Sequence, residues 1–355
     1  MSQPMRDLLH TICRTLEKDE GFVLASITHH NGSTPRSIAA KMVVFPNEEI
    51  AGTIGGGLLE FDVIKAAPPV IKSKVAQLLT FELTEADLSD GQGMICGGQL
   101  TVLIEWIEPN INNIKLFNEI NGLLAGGSEG VCITEFSELE TGGYSVERCL
   151  LKGDDVGLSG MLLPDIVKEN LLEKTGKRRV PVFMQFETRN FLIEPISSMG
   201  TVYLFGAGHV SQDVAVLAGN VDFRIVVVDD RADYANSERF PAADEIRVVD
   251  QFEGAFDDLS INEDSYIVIL TRGHNHDRIV LGQALRTNAG YIGMIASRKK
   301  RNAVYNALKK AGATAEELES VHSPVGLKIG AETPAEIAVS IVAELIEFRS
   351  RTISG

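Results

Sequence analysis

The sequence predicts an α/β protein: an N-terminal mixed α/β domain followed by a C-terminal Rossmann-like, doubly wound parallel sheet. Three observations carry this reading. From Thr201 onward, apolar strand signals alternate with helical stretches. The first of these strands runs into the turn Gly206-Ala-Gly208-His209, which opens a helix. The second, around Ile225 to Val228, ends in the acids Asp229-Asp230 and then Arg231. Glycines let backbone N–H groups approach a phosphate, and the helix N-terminus that follows is electropositive. Asp229 stands where a ribose hydroxyl would be read.

Taken in order, residues 5–19 place Leu8, Leu9, Ile12 and Leu16 at helical spacing. Residues 22–28 read as a strand, broken by a loop over 29–36. Residues 41–45 and 49–54 read as two further strands. Gly55-Gly56-Gly57 opens a helix expected to stop at Ala67, because Pro68-Pro69 removes donors and restricts the residue before it. Strands at 77–83 and 99–107 flank a glycine-rich loop, and a first domain, 1–109, closes there. Residues 110–198 carry a helix at 111–125 and β-rich stretches at 131–136, 144–151 and 180–196. They suit either a separate unit or the second half of the first domain. Residues 197–200 read as a linker into the domain 199–355. Its strands are expected at 201–205, 224–229, 246–249, 266–271 and 290–295, and its helices at 209–219, 277–287, 298–311 and 334–349.

Composition narrows the function classes. A hydrophobic content of 44% with 23% charged residues is ordinary for a globular protein. The net charge of −16 argues against nucleic-acid binding and requires a local basic pocket for any anionic ligand. Cys13, Cys96, Cys132 and Cys149 form no C-x-x-C pair, so they read as reduced thiols. No stretch is long enough to span a bilayer, and the N-terminus lacks a leader pattern; the expectation is a cytoplasmic protein.

Chemistry-bearing residues cluster at expected strand ends. His274, His276 and Asp277 have the density of a metal site, against the plainer reading of loop hydrogen bonds and a helix cap at Asp277. No further ligand cluster completes a shell, and no metal is assigned. Ser297-Arg298-Lys299-Lys300-Arg301 is the one strongly basic run, and at a helix start it suits phosphate contact, against the plainer reading of a solvated helix face. In the first domain, Gly55, Gly56 and Gly57 could cradle an anion or form a packing corner. Glu60, one turn on, could face a ligand or complement the helix dipole. Cys96, flanked by glycines, suits either a sulfur acceptor or ligand, if its pKa is lowered, or a small buried hydrophobe.

These motifs, in this order, resemble the xanthine dehydrogenase accessory proteins, the XdhC/CoxI family. In the first domain the likeness rests on Gly32-Ser-Thr-Pro-Arg36, Ala40-Lys-Met42, Thr53-Ile-Gly-Gly-Gly57 with Glu60, and Met94-Ile-Cys-Gly-Gly98. In the last it rests on Phe205-Gly-Ala-Gly-His209, Asp229-Asp-Arg231, Arg239-Phe-Pro241, Gly273-His-Asn-His-Asp277, Tyr291-Ile-Gly293, Ser297-Arg-Lys-Lys300, and the run from Val321 through Ser340. Only residues 110–198 lack a signature. The chain departs from the family's small, mostly glycine residues at Ala39, Ser211 and Ala296. Ser211 replaces the helix-packing glycine of G-x-G-x-x-G, which counts against ordinary tight NAD binding.

The resemblance implies a chaperone for the molybdenum cofactor, a phosphate-bearing pterin in its molybdopterin form. Such a protein would protect the cofactor, assist its sulfuration by a cysteine desulfurase and insert it into a xanthine dehydrogenase-type molybdenum hydroxylase. A homodimer is implied too. Cys96 would be the sulfur or molybdenum contact. Arg36, Gly55, Gly56, Gly57 and Glu60 would line the first-domain side of a cleft. Gly206, Gly208 and His209 would hold phosphate, Asp229 a ribose or other polar group, with His274, Ser297, Arg298 and Lys299 nearby. The alternatives are an NAD(P)-dependent oxidoreductase with a histidine acid/base, or a nucleotide-regulated redox sensor.

Overall fold

Side chains of strand β1 (Phe22–Gly32) alternate between two apolar layers, which is what a sheet covered on both faces requires. Phe22 and Leu24 face helix α1 (Met5–Glu17), while Val23, Ala25 and Ile27 face helix α2 (Gly57–Ser73). The computed structural model describes residues 5–32, 38–83, 98–152, 181–196 and 200–354. The chain divides into two compact units, Met1–Ser197 and Ser198–Gly355.

The first unit holds two antiparallel sheets. One has the order β3-β2-β1-β5-β4, from β2 (Lys41–Val44), β3 (Ile50–Gly52), β4 (Gln77–Leu83) and β5 (Gly98–Ile107). The other has the order β7-β6-β9-β8, from β6 (Gly130–Glu138), β7 (Tyr144–Leu151), β8 (Val182–Phe186) and β9 (Arg189–Ile196). Helix α3 (Ile111–Gly126) starts at Asn110, whose side chain accepts from the Asn113 amide. Between the sheets the Arg148 guanidinium grips Glu105, at 2.6 Å through one arm, and Lys41 pairs with Glu194. Cys132 lies beside this cluster; burial first, then Glu194, pushes its thiol up to about 12.

Three local expectations change. β1 continues to Gly32 instead of breaking at Thr28, because a register shift between Ile27 and His29 lets pairing with β5 resume. α2 runs through Pro68 and Pro69 to Ser73, since Ala67 and Val70 on either side are buried against the sheet and override the lost donors. Within the expected stretch 180–196, residues 182–196 form a hairpin turning at Glu187, which takes φ +54°.

The second unit is a five-stranded sheet of order β12-β11-β10-β13-β14, parallel throughout. Its strands are β10 (Thr201–Phe205), β11 (Arg224–Asp229), β12 (Glu245–Val248), β13 (Ser265–Ile269) and β14 (Tyr291–Met294). Helices α4 (His209–Gly219) and α8 (Pro334–Ser354) cover one face. α5 (His274–Ala284), α6 (Arg298–Lys310) and α7 (Ala315–Glu319) cover the other. Strands buried on both faces explain the unbroken apolar runs of β11 and β13. The mixed α/β class and the Rossmann-like C-terminal sheet are as the sequence predicts. α7, opened by a Thr314–Glu317 capping box, lay outside that expectation.

Candidate functional site

The connections after β10 and β13 leave for opposite faces of the sheet at the point where the strand order reverses, the place where open parallel sheets form ligand crevices. Gly206 sits there with φ +109°, and a Cβ on it would lie 2.5 Å from the Leu270 carbonyl oxygen. Its role is steric, because its N–H already bonds Val228 O at 2.8 Å. The next N–H, of Ala207, bonds Asp229 Oδ2 at 2.7 Å. A Cβ on Gly208 would meet nothing within 4 Å, and no side chain caps the helix it begins. The turn therefore offers an anion the first turn of α4 from Gly208, with exposed His209 beside it. Ser211, fully buried, donates its hydroxyl to Gly206 O, so the missing third glycine becomes a tie between helix and turn.

Asp229 has a different task from the one its motif position suggests. It is 1% exposed and accepts from Ala207 N, Arg231 N (3.0 Å), Arg231 Nε (2.8 Å) and Arg231 Nη2 (3.0 Å). Burial works to raise its pKa, but the Arg231 bond, the Ala207 amide and the Arg231 charge hold it below the usual carboxylate value. Its oxygens face the turn and Arg231. Asp230 pairs with Arg272 at 2.7 Å.

His274 is the first residue of α5 and is exposed, while His276 lies edge-on to Phe252 at 5.2 Å. Asp277 is fully buried: Thr271 Oγ1 donates to it at 2.6 Å and the Lys300 ammonium lies against its other oxygen. It clasps α5 to α6 rather than capping α5, which begins at His274 behind the N-cap Gly273, three residues earlier than expected. Among the described residues, no group of three His, Cys, Asp or Glu side chains is arranged to hold a metal ion. Ser297 caps α6, its hydroxyl accepting from the Lys300 amide at 3.2 Å, and leaves Arg298 and Lys299 exposed at the helix start.

In the first unit the glycine loop is already filled by the protein's own carboxylate. Glu60 Oε1 accepts from Thr53 Oγ1 (2.5 Å), Gly56 N (3.0 Å) and Ile54 N (3.1 Å), and Gly55 N bonds Thr53 Oγ1 at 3.2 Å. Gly55, Gly56 and Gly57 all take positive φ, which lets the loop wrap round that oxygen. Ala39 holds φ +68°, in the left-handed region that favours glycine. A cavity of about 710 Å³ in this unit is lined by Glu105, Trp106, Asn110, Lys115, Glu119 and Arg148, none of them an expected site residue. Arg36 and Cys96 lie outside the described residues. Sequence reasoning missed Lys300 as a clasp, and Arg231 as the partner of Asp229; the doubled acid followed by arginine was the available signal.

The sheet order, the glycine turn and the uncapped helix start define a Rossmann-type unit, joined in the chain to a second α/β unit. Residues 202–345 match the XdhC Rossmann domain and residues 15–82 match the XdhC and CoxI family, together more than half of the chain. The chain is 29% identical over 342 residues to a probable xanthine dehydrogenase subunit of Bacillus subtilis (strain 168), covering 95% of this chain and 96% of that one. It is 25% identical over 339 residues to the uncharacterized protein YqeB of Escherichia coli (strain K12), covering 96% of this chain but only 46% of YqeB. The chain thus spans about half of that second relative. The crystal structure of a xanthine dehydrogenase from Bacillus halodurans has a TM-score of 0.77 and 28% identity, with 98% of this chain and 96% of that one covered. The protein belongs to the XdhC and CoxI family.

Proposed function

We propose that the protein binds the molybdenum cofactor and serves in the maturation of a xanthine dehydrogenase-type molybdenum hydroxylase. In this reading it protects the cofactor, assists its sulfuration with a cysteine desulfurase and hands it to the apo-enzyme, working in the cytoplasm as a homodimer. The observation that carries the reading is whole-chain likeness, through both units, to proteins described as xanthine dehydrogenase components. The geometry fits at the second unit. An open Gly208, exposed His209 and the exposed cations Arg298 and Lys299 suit the phosphate of a pterin. The first-unit glycine loop fits poorly, because Glu60 already takes its amides.

Cys96 is the sulfur-handling residue in this proposal. Cys96→Ala is expected to fold normally yet lower delivery of active cofactor; unchanged activation of a target hydroxylase would remove Cys96 from the mechanism. The leading test is anaerobic purification followed by mass spectrometry and pterin fluorescence. Stoichiometric molybdopterin supports the reading, and bound NAD(P) without pterin favours an oxidoreductase or sensor. That second reading draws on the parallel sheet with its glycine turn; the inward-facing Asp229 weighs against NAD in that role, because it leaves no free carboxylate for a ribose 2′-hydroxyl.

A further inference from the structure

The loop after β11 carries a constellation that the cofactor reading does not use. Tyr234 is 38% exposed, with the Arg231 guanidinium 3.7 Å from its ring centre and that of Arg239 at 5.0 Å. Arg239 is fixed in place: its Nε donates to Tyr234 O at 3.2 Å and its Nη2 to Gln212 Oε1 on α4 at 3.0 Å. Gln212 in turn donates to Arg239 O at 2.9 Å, which holds the loop beside the first turns of α4. Arg231 is oriented by Asp229 through its Nε and Nη2. Among the described residues, the Nη1 groups of both guanidiniums carry no hydrogen bond.

In a Rossmann-type unit this loop lies where the ribose of an adenine nucleotide ends, and the usual reader of its 2′-hydroxyl is a free carboxylate at the end of the second strand. Here that carboxylate is buried and fully engaged, and its neighbour Asp230 is paired with Arg272. A free 2′-hydroxyl would find no acceptor at Asp229. A phosphate ester at the same place would meet two positioned guanidiniums on an aromatic platform, the arrangement that favours dianionic phosphate. We infer that the loop from Arg231 to Arg239 selects an adenine nucleotide phosphorylated at the ribose 2′ position, with Arg239 as a specificity-determining residue. The inference rests on the glycine turn being a phosphate site, and not on which ligand brings the phosphate there.

The test is calorimetric titration of the full chain with adenosine 2′,5′-bisphosphate and with adenosine 5′-monophosphate, at one ionic strength. The bisphosphate is expected to bind at least ten-fold tighter. Arg239→Ala is expected to weaken it five-fold or more while leaving the monophosphate within two-fold, and Arg239→Lys to restore part of the loss. Equal affinities, a preference for the monophosphate, or no binding of either would overturn the inference on the wild-type protein alone, whatever the variants do. A preference that survives Arg239→Ala would overturn the role of Arg239. Molybdopterin co-purification is read separately, so the two proposals fail separately.

Discussion

Gly206 and Gly208 are two residues apart and face opposite demands. An alanine at 206 would press its Cβ into the Leu270 backbone and force φ +109° on a side chain, so Gly206→Ala is expected to cost more than about 3 kcal/mol or to prevent folding. At Gly208, φ is −77° and the space is open, so Gly208→Ala is expected to change stability by under about 1 kcal/mol while filling the space that the proposed phosphate would take. Urea denaturation separates the two, and a Gly208→Ala protein that binds molybdopterin as the wild type does would show that the turn is not the phosphate site. Asp229 and Glu344 set the acid limit. Both have folded pKa values held below the ordinary carboxylate value, Glu344 against its burial by bonds from His322 and the Gly326 amide. Such groups stabilise the fold fully above the unfolded pKa of about 4, and that contribution is lost as pH falls through the folded values. Stability is therefore expected to fall steeply below about pH 4, and less steeply in Glu344→Gln; a flat profile there would contradict the assignment. The residue types of this site could be read from the sequence, but the direction of Asp229 could not. A motif records that an acid ends the strand, whereas competition between Arg231 and a ligand decides where its oxygens point.

At the scale of elements, α5 and α6 meet through Lys300 and the buried Asp277. Removing one partner of a buried pair leaves the other uncompensated, at a cost of about 3–5 kcal/mol when both are dry. The Lys300 side chain keeps 26% exposure, so Lys300→Met is expected to cost about 2 kcal/mol, measured as a lowered urea midpoint. A change under about 0.5 kcal/mol would reduce the clasp to a surface contact. Most elements were legible because alternation and helical spacing are local signals. The failures have a common cause in tertiary contact. Pro68 and Pro69 read as a stop, yet Ala67 and Val70 pressed against the sheet carry α2 to Ser73. His29 to Gly32 read as a loop, yet β5 supplies backbone partners out to Gly98.

For the molecule as a whole, each unit encloses its own apolar layers, two of them on either side of the parallel sheet in the second. Residues 198–355 expressed alone are expected to unfold in a single cooperative transition, since their cores are complete without the first unit. A molten, dye-binding fragment would show that the first unit supplies part of that core. Among the described residues no helix is long and apolar enough to cross a membrane.

The margins of the parallel sheet have their own consequence. On one side stands β12, four residues long and carrying Glu245 and Arg247, with Arg224 of β11 bonded to Glu245 at 2.7 Å. On the other, β14 is flanked by a single bridge from Gly293 to His322, a segment that Glu344 anchors through the His322 ring and the Gly326 amide. Charge on a short outer strand and a covered neighbour are both devices that deny a template to strands of other molecules. They differ in durability, because protonating Glu245 leaves Arg247 charged on β12, whereas the cover over β14 is anchored by the Glu344 carboxylate itself. Aggregation at low pH should therefore begin at β14, with the opposite margin still guarded.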